Sequence, residues 1–271
     1  MNGSPTNKVR RDTVGERGFT LLELMTVIAI VAILAALLST AVNQTKARAH
    51  QIFCLNGLRQ LQSAWILYAD DNDDDLTRNR SIPSPNERLL GRRNTPDSWV
   101  AGNPREDTDT KNIERGTLFH YINSPVVYRC PEDRAKVLLK KSLRRTRSYS
   151  MSAYLNGDEA GLEPRVKQKL AEVQAQPAAK IFVFAEEDSA SPWVGSFTVT
   201  PRDDASGAPA GRLSSIPGTW HNGGSDLSFA DGHVEYWRWL GARNSGKVNL
   251  TVTLRPQPSD LLRLQSAIPR L

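Results

Sequence analysis

From Phe19 to Val42 the chain is almost wholly apolar, with a single charged residue, Glu23, near its start. As a helix this stretch would extend roughly 36 Å at about 1.5 Å per residue, enough to cross a hydrocarbon core of about 30 Å. The pattern then changes rather than stops. Leu55, Leu58, Leu61, Trp65 and Tyr68 recur at spacings of three and four with Arg59, Gln60 and Gln62 between them. That spacing predicts an amphipathic continuation over 43–75, whose apolar stripe needs a sheet or helices to cover it. No proline falls between Pro5 and Pro83, and Gly57 is the only glycine from Phe19 to Leu90, so one helix can run through both parts. The acidic run Asp70 to Asp75 closes the pattern, and residues 76–112 are loop-like, rich in Pro, Asn, Arg and Gly.

After that the apolar segments are short. Leu118–Ile122 and Val126–Tyr128 read as brief apolar elements, Ile181–Phe184 as a buried strand, and Val248, Leu250, Val252 and Leu254 alternate as a late strand. Residues 202–211 read as a surface loop. With Asp231-Gly232 as a two-residue turn, Phe229 would face Val234 and Leu227 would face Tyr236 in a hairpin, with His233 on the opposite face. A long helix followed by short strands and loops predicts an α+β fold, the helix lying on a mostly antiparallel sheet. The domain plan is a leader (1–18), a membrane helix (19–42), its amphipathic continuation (43–75), an outer domain (76–255) and a C-terminal extension (256–271) with a short helix at Asp260–Gln265.

Composition changes this picture little. With 271 residues, 39% hydrophobic and 24% charged, the chain is globular and long enough for a fair-sized core. The net charge of +6 is small for the length and carries no nucleic-acid function by itself. The basic cluster Lys136, Lys140, Lys141, Arg144, Arg145 and Arg147 lacks interleaved stacking aromatics and reads as a solvated face, so DNA is not an expected partner.

The first 18 residues place Lys8, Arg10, Arg11 and Arg17 against Asp12 and Glu16, ahead of the apolar run. By the positive-inside rule the N-terminus stays in the cytoplasm and the rest is exported. A secretory signal peptide, a plain anchor and a processed anchor all fit this much, and Ser39-Thr40-Ala41 is a tolerable signal-peptidase site. Glu23 argues for function, because an acid inside an apolar span costs on the order of 2.5–3.5 kcal/mol when central.

The run Arg17-Gly18-Phe19-Thr20-Leu21-Leu22-Glu23-Leu24 resembles the processing motif of type IV prepilins and type II secretion pseudopilins. The resemblance implies cleavage after Gly18 by a prepilin peptidase and N-methylation of Phe19. It implies that Glu23 pairs with the amine of a neighbouring subunit, and that the exported domain is ladle-shaped. It also implies other pilin or pseudopilin subunits and an inner-membrane assembly platform as partners, and a periplasmic or surface filament as destination. The mature chain is large for the family, which points to a minor subunit. His221, followed after nine residues by Asp231 and Gly232, resembles the H-X9-DG signature of bacterial prepilin-processing-associated proteins. Cys54-Leu55-Asn56, Arg59-Gln60 and Arg129-Cys130-Pro131 are similar to segments of that group.

Other candidate chemistry is thinner. A metal set of His221, Asp231 and His233 is conceivable, although hydrogen bonding by a buried His221 is the plainer reading. Asp70, Asp71, Asp73, Asp74 and Asp75 offer carboxylates for calcium but lack the glycine and terminal glutamate of an EF-hand loop, and no cofactor is otherwise expected. Cys54 and Cys130 both fall on the exported side, where a disulfide can persist. Bonding them would close a long loop, worth about 4 kcal/mol in the chain-entropy model. Two buried thiols are the alternative. No nucleophile elbow, P-loop, dinucleotide fingerprint or metalloprotease helix occurs, so no enzyme is expected. The rival functions are a processed, membrane-anchored binding protein that never polymerises and an anchored metal-dependent hydrolase.

Overall fold

The computed structural model describes residues 19–138, 140–191, 195–201, 215–241 and 258–271. Helix α1 runs unbroken from Leu21 to Asp71, as the absence of proline and the single glycine require. The chain divides into two units after Lys46, within this helix. In the first unit, Leu21–Ser39 has a mean hydropathy of 2.8 and none of its residues is buried. A helix so apolar all round is made for a solvent that is itself apolar.

The second unit is α+β. Its main sheet has the order β5-β3-β4-β6-β7, from β3 (Tyr149–Ser152), β4 (Phe182–Glu186), β5 (Ser196–Phe197), β6 (Gly224–Phe229) and β7 (Val234–Arg238). Only the short β3–β5 pair is parallel. A two-stranded ribbon, β1 (Ser81–Pro83) and β2 (Arg92–Asn94), stands apart from it. The short helix α2 (Glu87–Leu90) joins the two ribbon strands, α3 (Lys111–Glu114), α4 (Phe119–Ile122) and a helical turn at Pro125–Tyr128 lead from the ribbon to β3, and α5 (Leu170–Gln174) lies between β3 and β4.

Two apolar clusters pack on this sheet. In the first, Cys54, Leu58, Leu61, Trp65 and Ala69 of α1 meet Tyr149 and Met151 of β3 and Val183 and Phe184 of β4. Gly57 is part of this seam: a Cβ there would stand 3.1 Å from the Val127 carbonyl oxygen. The expected stripe is thus seated on the sheet. One residue read as a polar spacer, Gln62, is also buried and accepts a hydrogen bond from Ser228 Oγ of β6 at 2.9 Å. In the second cluster, Phe182, Ala185, Phe197, Leu227, Phe229 and Trp237 meet Leu264, Ala267 and Ile268. Strand β4 serves both clusters because its register against β6 shifts between Phe182 and Ala185, a bulge that turns Val183 and Phe184 the same way.

Three expectations are revised here. The C-terminal segment is no loose extension: α6 (Pro258–Gln265) and the residues after it enter the second cluster, and the Phe182 amide donates to the Ala267 carbonyl at 3.0 Å. The β6–β7 turn holds three residues, Ala230 to Gly232, so Ser228 pairs with Val234 and Leu227 with Glu235, one residue out of the expected register. Gly232 at φ +97° makes that turn possible, and His233 consequently stacks on Phe229 with centroids 4.4 Å apart instead of facing away. Finally, Arg145 and Arg147 of the supposed solvated basic face are 2% and 0% exposed. Arg145 pairs with Asp133 and donates to the Glu187 carbonyl, while Arg147 donates to the carbonyls of Ala101 and Gly102. The strand expected at Val248–Leu254 and the loop at 202–211 lie outside the described residues, as does the leader with Gly18.

Candidate functional site

At the N-terminal end of α1, Phe19 is 73% exposed and Glu23 sits in the first turn. Glu23 has a partner in its own chain. Its carboxylate accepts from the Thr20 amide at 2.9 Å and from Thr20 Oγ at 2.7 Å, and its own amide donates to Thr20 Oγ at 3.2 Å. This is a capping box, which satisfies two of the orphan donors at the helix start. Thr20-x-x-Glu23 is its sequence signature. The acid is thereby held at the mouth of the helix beside Phe19, close to the terminus that cleavage after Gly18 would create.

The motif residues of the second unit do not converge as one site. Asp231 is a turn residue, accepting from the His233 amide at 3.1 Å and pairing with the His233 ring. His221 is elsewhere and buried. It precedes Asn222 (φ +56°) and Gly223 (φ +82°), a tight Asn-Gly turn closed by backbone bonds between His221 and Gly224. The H-X9-DG spacing therefore marks the two ends of β6, a turn before it and a turn after it. A metal set of His221, Asp231 and His233 is not assembled.

His221 instead enters a buried group drawn from four separate segments. Its Nε2 lies 3.0 Å from Glu186 Oε1, at the end of β4, and 3.3 Å from Cys130 Sγ. Cys130 Sγ in turn accepts from the Cys54 thiol of α1 at 2.8 Å, both cysteines being free. The four ligand atoms all lie within 4.8 Å of one another. The two cysteines thus meet in the core, with the sulfurs further apart than the roughly 2.05 Å of a bond. Asp226 of β6 adjoins the group, 3.6 Å from His221 Nε2, and its amide donates to Glu186 Oε2 at 3.0 Å. Both Asp226 carboxylate oxygens are buried without a hydrogen bond; Gln51 favours their charged form but not at bonding geometry.

The electrostatics follow from this crowding. Burial opposes the imidazolium of His221, but hydrogen bonds with Cys130 and Glu186 and the Glu186 charge outweigh it and push its pKa up to about 11. The hydrogen bond shared with Cys54, aided by burial, holds the Cys130 thiol well above its usual range. Burial and the nearby Glu186 push Asp226 to about 7 against the pull of His221. Neither Glu186 nor Asp226 is conspicuous in sequence. Nothing in the local spacing connects them to His221, 35 and 5 residues away.

The acidic run does not gather around a common point. The Asp74 carboxylate accepts from the Ala171 amide in α5, Asp75 pairs with Lys169 at 2.9 Å, and Asp71 accepts from Tyr121 at 3.1 Å. Asp73 and Asp74 have φ values of +51° and +68°, so the backbone reverses hand within the run and fans the side chains apart. The run is a helix stop that docks on α5.

The family comparison bears on the N-terminal end. Residues 15–39 match the model described as the prokaryotic N-terminal methylation motif. The chain carries the N-terminal motif of a type IV pilin-like precursor. The matched span takes in Gly18, Phe19, the capping pair Thr20 and Glu23, and most of the apolar helix. Such a motif implies processing by a prepilin peptidase and assembly with other pilins. No curated protein and no solved structure matches the chain.

Proposed function

We propose that the chain is a structural subunit, of the minor kind, in a type IV pilus or type II secretion pseudopilus. It is cut after Gly18, methylated at Phe19 and anchored by the apolar half of α1 until assembly. The observation that carries this reading is the methylation motif at 15–39, placed at the head of an apolar stretch, Leu21–Ser39, in which no residue is buried. An apolar helix with no internal partner leaves lipid only for another apolar surface, and a bundle of like helices supplies one. In that bundle Glu23 exchanges its Thr20 partners for the terminal amine of a neighbouring subunit, which sets the axial register. The exported domain, with the N-terminus inside, carries the subunit's specificity, and no catalytic turnover is assigned to it.

A Gly18→Trp substitution tests this reading. A bulky side chain beside the scissile bond blocks the peptidase, so the chain accumulates in the membrane at its unprocessed mass and is absent from filaments. Normal processing of that variant would remove Gly18 from the mechanism.

A further inference from the structure

We propose that Cys54, Cys130, Glu186 and His221 form a closed structural binding site for a divalent cation of the zinc class. The donor set comprises two sulfurs, one imidazole nitrogen and one carboxylate oxygen, all ligand types that zinc takes in tetrahedral sites. Zinc bonds of about 2.3 Å to sulfur and 2.0–2.2 Å to nitrogen and oxygen place tetrahedral ligands roughly 3.3–3.8 Å apart. The sulfurs stand at 2.8 Å, the Cys130–His221 pair at 3.3 Å and the His221–Glu186 pair at 3.0 Å. These three pairs need to open by about 1 Å or less around a central cation, and the remaining pairs lie within 4.8 Å. Cys54 and Cys130 bind as thiolates and His221 through Nε2 as neutral imidazole, so binding releases their protons.

The surroundings fit a cation better than they fit plain packing. All four ligating side chains are buried, and Asp226 adds a further carboxylate with no hydrogen bond to its oxygens. Two buried acids facing one imidazole are costly as core filling, and a bound cation gives the Glu186 carboxylate a direct partner. Glu186 is already oriented as a monodentate ligand, since its second oxygen is occupied by the Asp226 amide. Cys130 is fixed by its amide, which donates to Ser148 Oγ, and Ser148 Oγ donates in turn to Asp133. A disulfide would use two of the four groups and leave the His221–Glu186 pair outside it. With all four positions filled by protein and none open to water, the site is structural. It ties α1, the Cys130 loop, β4 and the turn before β6 to one another, and loads as the domain folds.

The test uses the full-length chain extracted from membranes in detergent, with neither chelator nor reductant. Elemental mass spectrometry should find one zinc per chain, and denaturation with a chelator should expose both cysteines to alkylation. Replacing the metal with cobalt should produce a thiolate-to-cobalt absorption band, lost in Cys54→Ser and Cys130→Ser. Glu186→Gln, which keeps the side chain's shape, should lose metal while retaining its circular dichroism. If the variants do not fold, the wild-type metal content, thiol count and cobalt band decide alone. A mass two hydrogens lower with unreactive cysteines, or free thiols that take up no zinc and give no cobalt band, would overturn the site.

Discussion

Glu23 caps its own helix and is proposed to pair across subunits, and substitution by glutamine distinguishes the two roles. The carboxylate caps its own helix through Thr20, with bonds of 2.9 and 2.7 Å, and the proposal also gives it an ionic role against a neighbour's amine. Glutamine keeps an acceptor oxygen at the same reach, so Glu23→Gln retains the cap, whereas Glu23→Ala loses about 1 kcal/mol of it. Both remove a charge from the apolar span, and both should insert at least as well as wild type. Thr20→Val makes the opposite cut, since it removes the hydroxyl partner and leaves the charge. Leaving the neighbour's amine buried without its acid costs about 3–5 kcal/mol per interface, which is a fall in incorporation of at least about a hundredfold. The assay is the ratio of subunit in sheared filaments to subunit in membranes, in cells lacking the wild-type chain. Gln and Ala should fail alike and Thr20→Val should assemble. Rescue by Gln would show that capping, not charge, is the function of Glu23, and would refute the register mechanism.

Two further outcomes concern the exported domain. Gly224→Ala places a Cβ 2.3 Å from the Trp237 carbonyl and 2.5 Å from the Tyr236 ring, whose hydroxyl donates to the His221 carbonyl at 2.7 Å. Neither neighbour can yield cheaply, so the variant should lose about 1–3 kcal/mol or more in denaturant unfolding; unchanged stability would contradict the β6–β7 register. Asp133→Ala strands the guanidinium of Arg145, 2% exposed, and frees Ser148 beside Cys130, so it should cost about 3–5 kcal/mol. Arg145→Met with Asp133→Leu should recover much of that loss, and a double variant no better than the single would show that the pair is not the cause.

What was legible in the sequence was whatever rests on period. The continuous α1, the short elements at Phe119–Ile122 and Pro125–Tyr128 and strand β4 all follow from apolar spacing in one stretch of chain. The α+β class followed from their order. The β6–β7 register was missed because three loop residues and a left-handed Gly232 replace the two-residue turn, and one residue of slip reverses every side chain. The burial of Arg145 and Arg147 was invisible because their partners, Asp133 and the carbonyls of Ala101, Gly102 and Glu187, are brought to them by tertiary folding alone. The same holds for the cysteine cluster. Cys54, Cys130 and His221 each stood out singly, but their meeting with Glu186 depends on α1 crossing the sheet. The Asn222-Gly223 turn and the Thr20–Glu23 capping box, by contrast, carry local sequence signatures.

The central claim is that the chain is cut between Gly18 and Phe19 and then modified. Mass spectrometry of the N-terminal peptide from the membrane-extracted native protein tests it most directly. The account predicts a chain that begins at Phe19 with a methylated amine. A chain beginning at Val42, the product of signal-peptidase cleavage after Ser39-Thr40-Ala41, or one that keeps the residues before Phe19, would contradict it.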